Sequence, residues 1–160
     1  MKSVPDIVRS GSVNCYFVKT NRGFILIDTG WANKRDELEK KLENAGCKPG
    51  NLELIILIHG VFDHSGNCAY LRKKLDTKIA MHIDDFGMIK HGDMFWNRKA
   101  GNIFIRLIAK FLFRLRKSNS FRPYLFFENG YDRSEFGFDT RVLPIPEHGK
   151  PFSMEQFLKN

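Results

Sequence analysis

The chain has 160 residues, 42% hydrophobic and 28% charged, which suits one domain with a core and excludes disorder by composition. Its 26 lysines and arginines exceed its 18 acids, a formal charge of +8, and such a surface draws anions without selecting among them. The three cysteines, Cys15, Cys47 and Cys68, are odd in number and form no CxxC pair, which argues against a disulfide framework and for reduced, buried thiols. The opening Met1-Lys2-Ser3-Val4-Pro5-Asp6 lacks the apolar core of a signal peptide. No apolar run reaches the roughly 18 residues of a spanning helix. A soluble, cytoplasmic protein is the expectation.

In chain order, residues 13–19 read as a strand, Asn21-Arg22-Gly23 as a turn, and Phe24-Ile25-Leu26-Ile27 as a second strand. The short connection predicts a hairpin. Asp28-Thr29-Gly30 ends it, and Asp28 is either a turn-former or a site residue. Leu38, Leu42 and Ala45 recur at helical spacing, which predicts a helix over 33–45, stopped by Gly46 and Pro49-Gly50. A buried strand over 54–58 follows, then a helix over 67–75 with Ser65 or Asn67 as its N-cap. Residues 78–82 predict a third apolar strand, and 83–90 a short helix. Strand and helix alternate as in α/β folds.

Residues 101–117 carry Arg106, Lys110 and Arg114 every fourth position among apolar side chains such as Phe104, Leu107, Phe111 and Leu115. Three readings stand: a helix packed on the sheet or a partner subunit, a lid over a cleft, or a helix on a membrane surface. Residues 118–135 read as loop with an apolar patch, Tyr124-Leu125-Phe126-Phe127. A last strand is predicted over 138–145, with Pro144 marking an edge or end. A turn bearing His148 follows, then at most one helical turn over 154–158.

The chemistry gathers in Ile58-His59-Gly60-Val61-Phe62-Asp63-His64-Ser65-Gly66. Polar side chains just past a buried strand sit where open α/β sheets place their sites. His59, Asp63 and His64 suit a zinc-type ion, which takes imidazole nitrogen and carboxylate oxygen. They equally suit local roles, His59 closing the strand end and Asp63 capping the next helix.

Taken together, Asn14-Cys15-Tyr16-Phe17, Leu26-Ile27-Asp28-Thr29-Gly30, the His59–Gly66 loop and Pro144-Ile145-Pro146-Glu147-His148-Gly149 resemble the metallo-β-lactamase-fold hydrolase superfamily. The resemblance spans residues 13 to about 149. It implies an αββα sandwich of α/β class, with metals at one edge between the sheets and hydrolysis by a metal-activated water. His59, Asp63, His64 and His148 match the family's metal ligands. Asp63 would also orient the water, and Asp28 matches the acid that supports the loop. Zinc in one or two sites is the implied cofactor.

Four departures accompany the match. Ile58 stands where the family usually has threonine, Val61 where it usually has a second histidine or sometimes an aspartate, and Glu147 where it has glycine before His148. The sequence ends at Asn160, before the family's bridging aspartate and final histidine. The resemblance thus implies a single domain over 1–160, truncated at its C-terminus, its second half incomplete and each metal under-coordinated. Activity is expected to be impaired, unless His82, His91 or Asp93 supplies a ligand. The other reading is a catalytically silent remnant that binds a ligand or partner. Expected partners are an unknown small-molecule substrate and a second copy of the chain, met through the 101–117 helix or an exposed sheet edge. Nucleic acid is not expected, since the basic residues read as scattered, without an aromatic-interleaved tract.

Overall fold

A computed structural model describes residues 6–10, 13–91, 103–104, 107–108, 121–127, 143–144 and 152–153. Its centre is a six-stranded sheet in the order β1 to β6. The strands are β1 (Asp6–Ser10), β2 (Val13–Lys19), β3 (Phe24–Ile27), β4 (Leu52–Leu57), β5 (Lys78–His82) and β6 (Leu125–Phe127). The first three pair antiparallel, and the pairs from β3 to β6 are all parallel. Parallel neighbours need crossovers. Between β3 and β4 the chain makes one through α1 (Arg35–Asn44). Between β4 and β5 it passes through α2 (Phe62–Ser65) and α3 (Cys68–Leu75). A 3-10 turn, Ile83–Asp85, and α4 (Phe86–His91) follow β5. Two short strands, β7 (Leu143–Pro144) and β8 (Phe152–Ser153), pair antiparallel in a separate sheet.

Alternation along the central strands divides the core between the two faces of the sheet. Leu26, Ile55, Leu57, Ile79 and Met81 pack with Leu38 and Leu42 of α1 and Leu71 and Leu75 of α3. Ile25, Ile27, Leu54, Ile56, Ala80 and Phe127 form the second cluster. Ile25 and Ile55, one in each cluster, are fully buried. This explains why β3 and β4 read as continuous apolar runs. The cysteines are free and buried. Burial pushes the Cys15 thiol up to about 12, with the Asp28 charge adding, and pushes Cys47 up to about 11.

The predicted hairpin, the strands at β4 and β5 and the helices at α1 and α4 are all present. Three details differ. Residues 125–127 form β6, hydrogen-bonded beside β5, where the sequence read as loop; three residues are too few to display a period. Neither Ser65 nor Asn67 caps α3 through its side chain. Ser65 lies inside α2 and donates back to the Val61 carbonyl at 3.0 Å, and Asn67 is committed elsewhere. β1 had no counterpart in the sequence reading. Of the strand expected over 138–145, only Leu143–Pro144 is among the described residues. The helix expected over 101–117 is represented by 103–104 and 107–108, all helical. The turn over 154–158 lies outside the described residues.

Candidate metal centre

The site is built where β3, β4 and β5 end side by side. Asp28 closes β3 with a left-handed φ of 57°, a conformation that aspartate tolerates better than most residues. Its carboxylate is buried and fully engaged. One oxygen accepts the Ile58 N–H at 2.9 Å, and the other meets His64 Nδ1 at 2.7 Å. Burial pushes the Asp28 carboxyl above its usual range, and the hydrogen bonds from His64 and Ile58 work against that. Burial also opposes a charge on His64. The hydrogen bond and charge of Asp28, with Asp63 and Asp85 adding, outweigh it and hold His64 above the ordinary histidine value. The two shifts pull the pair in opposite senses. A 2.7 Å contact to a carboxylate whose second oxygen is already held favours imidazolium beside carboxylate.

The neighbouring residues tie this turn to the loop. The Thr29 N–H and hydroxyl both donate to the His64 carbonyl, at 2.7 and 2.9 Å. Asn67 is fully buried and donates through Nδ2 to the carbonyls of Thr29 and Trp31, at 2.7 and 3.0 Å. Gly66 permits the approach: a Cβ there would lie 2.6 Å from the Gly30 carbonyl oxygen and 2.7 Å from the Ala32 nitrogen. Backbone atoms on both sides cannot yield cheaply. Gly66→Ala should therefore cost about 1–3 kcal/mol, as overpacking does. Chemical denaturation checks this, and an unchanged midpoint would contradict the packing.

His59 stands just past β4. Its Nδ1 faces Asp85 Oδ2 at 3.4 Å, and Asp85 is buried in the turn after β5. Both loop histidines thus meet a buried carboxylate through Nδ1, and an Nδ1 contact of this kind orients Nε2 toward a ligand. The two rings lie 5.3 Å apart, edge to face. His64 Nε2 lies 3.9 Å from Asp63 Oδ2. The other Asp63 oxygen is buried, with no hydrogen-bond partner among the described residues. That orphan argues against a helix-capping role for Asp63 and suits a cation.

The structure therefore sets His64 between Asp28 and Asp63, with the His59 ring facing it and Asp85 behind His59. His148 and Asp93 lie outside the described residues. His82 sits at the end of β5, where its Nδ1 accepts the Asp84 N–H at 3.2 Å. His91 is exposed at the end of α4. Among the described residues, no group of three or more His, Cys, Asp or Glu gathers closely enough to hold a metal. The donor chemistry fits zinc, but the described ligands fall short of a full coordination set. Val61 acts through its backbone: its carbonyl accepts the N–H groups of His64 and Ser65 at 3.0 and 2.9 Å. Sequence reasoning missed Asp85; it placed Asn67 correctly as the N-cap residue of α3 but missed that its side chain is spent on the Thr29 and Trp31 carbonyls. An acid and an amide at strand and helix ends look like ordinary turn formers, and no local signal separates the two.

The model of the Metallo-beta-lactamase superfamily matches residues 8–151. A stretch of 46 residues is 46% identical to Metallo-beta-lactamase domain-containing protein 1 of Rattus norvegicus, covering 29% of this chain and 18% of that protein. A Cronobacter sakazakii metallo-beta-lactamase with a HARLDQ motif superposes with a TM-score of 0.67 at 18% identity, over 92% of this chain and 52% of that one. BJP-1, a subclass B3 metallo-beta-lactamase of Bradyrhizobium japonicum, gives 0.62 at 19% identity, over 94% and 54%. GOB-18 of Elizabethkingia meningoseptica gives 0.67 at 15%, over 95% and 54%. The structural likeness is one of fold, and this chain spans about half the length of those structures.

Proposed function

Because this chain belongs to the Metallo-beta-lactamase superfamily, we propose that it is a metal-dependent hydrolase domain with a weakened metal site. His59, Asp63, His64 and His148 would hold a zinc-type ion. The observation that carries this reading is the buried, unpartnered Asp63 oxygen beside two histidines that Asp28 and Asp85 contact through Nδ1. Zinc, when bound, lowers the pKa of water toward ~7 and polarises a scissile bond. The chain's own contributions are orientation and charge. Asp63 would position the attacking water, and Asp28 fixes the direction of His64. The substrate is a small molecule whose class the fold does not disclose. A cytoplasmic setting belongs to this reading, supported by three free thiols. No helix among the described residues is long and apolar enough to cross a membrane.

Val61 favours the weakened form, since valine offers no donor where the family has histidine. The HARLDQ protein also lacks histidine at the third motif position while keeping the first histidine and the aspartate. His59 and Asp63 are spaced as those two are. The purified chain, saturated with zinc and desalted, should retain less than one equivalent and hydrolyse simple esters and lactams slowly. Elemental analysis and a turnover assay measure both. Two tightly held metals with rapid hydrolysis would sink the weakened-site reading. No zinc at any concentration would favour the catalytically silent remnant.

A further inference from the structure

Asp85 is the one acid at the site that lies outside the motifs carrying the family resemblance, and its setting is not that of a turn former. The turn after β5 holds two adjacent acids. The Asp84 side chain is 42% exposed, whereas that of Asp85 is 7% exposed. Burying a carboxylate is costly unless it is paired. Among the described residues, the ion-pair partner of Asp85 is the His59 ring, with Nδ1 3.4 Å from Oδ2. Packing fixes where this carboxylate stands. Gly60, next to His59, comes so close to the turn that a Cβ there would lie 2.8 Å from the Asp85 carbonyl oxygen and 3.2 Å from Met88 Cβ. His82 Nδ1 accepts the Asp84 N–H at 3.2 Å and ties the turn to the end of β5. The metal loop and the turn are thus held face to face, with the acid aimed at the ring.

We propose that Asp85 is a positioning residue of the metal centre, holding His59 as the Nδ1–H tautomer and so leaving the Nε2 lone pair for the ion. The inference rests on the hydrolase reading and deepens it. A neutral imidazole has one N–H and one lone pair. A carboxylate beside Nδ1 draws the proton to that nitrogen. Only the ring protonated there presents Nε2 to a ligand. The hold is looser than that of Asp28 on His64, 3.4 Å against 2.7 Å. Partners of this kind change metal affinity by roughly 10–100-fold, so the expected effect of Asp85 lies at the lower end, about tenfold.

The test is heteronuclear NMR of the metal-free full chain, labelled at histidine and measured at alkaline pH, where the tautomer of each ring is read directly. His59 should be the Nδ1–H form. Asp85→Leu keeps the branch at Cγ but removes the acceptor. It should shift His59 toward the Nε2–H form and weaken zinc binding about tenfold, measured by competition with a chelating dye. Asp85→Asn retains an acceptor oxygen and should keep most of both. A residue that merely packs the turn would leave the tautomer unaltered when replaced. Circular dichroism checks that Asp85→Leu is folded; if it is not, the wild-type and Asp85→Asn tautomers decide. An Nε2–H ring at His59 in the wild type overturns the proposal. So does a folded Asp85→Leu chain with an unchanged His59 tautomer. A tautomer shift without zinc binding by any form would uphold the hold of Asp85 on the ring and count against the hydrolase reading alone.

Discussion

Asp28→Ala should lower the unfolding free energy by about 3–5 kcal/mol, the usual cost of removing one partner of a buried ion pair. The carboxylate holds the Ile58 N–H and the His64 ring at once, so alanine strands a donor on each. Asp28→Asn is the informative control. Asparagine also tolerates a left-handed backbone, and its side-chain oxygen can still accept from Ile58. It should lose clearly less. The pH dependence has a definite sign. His64 is raised above 6.5 in the folded chain, so its contribution to stability is complete below that value. It is lost as pH rises through the folded value. Asp28→Asn should flatten this loss. Urea titration of the metal-free chain at several pH values measures all of this, and an Asp28→Ala loss under about 1 kcal/mol would remove Asp28 from its supporting role.

Val61→His should strengthen zinc binding on the order of a hundredfold. Structural zinc sites carry about 10–16 kcal/mol over four ligands. One added imidazole is then worth about 3 kcal/mol, or two decades of affinity. The position should accept the change. Val61 is only half-buried, its backbone is extended (φ −74°, ψ 148°), and its structural work passes through its carbonyl. Competition with a chelating dye gives the affinity. Val61→Ala should leave it unaltered, and His59→Ala should erase the gain. A Val61→His chain with wild-type affinity would mean that His59, Asp63 and His64 are not aimed at a common ion.

Much of this was legible residue by residue. Leu54 to Leu57 announces a buried strand because four apolar side chains in succession suit a sheet with both faces covered. The His59, Asp63 and His64 spacing is local, so a loop of six residues carries its own message. Membership of the superfamily followed from the order of short motifs, each weak alone.

The sequence by itself determined the strands β2 to β5, the helices α1, α3 and α4 and which side chains could ligate a metal, because those depend on periodicity and donor chemistry within a few residues. Only the tertiary structure decided which of those side chains are held and by what. Asp85 reaches His59 because β4 and β5 lie parallel and in register, which brings their ends together across 25 intervening positions. Asn67 became a clasp on the Thr29 and Trp31 carbonyls, and Gly66 became obligatory, because the turn after β3 packs directly against the loop after β4. Contacts of that kind follow from strand order and register, which long-range packing sets and no local pattern records.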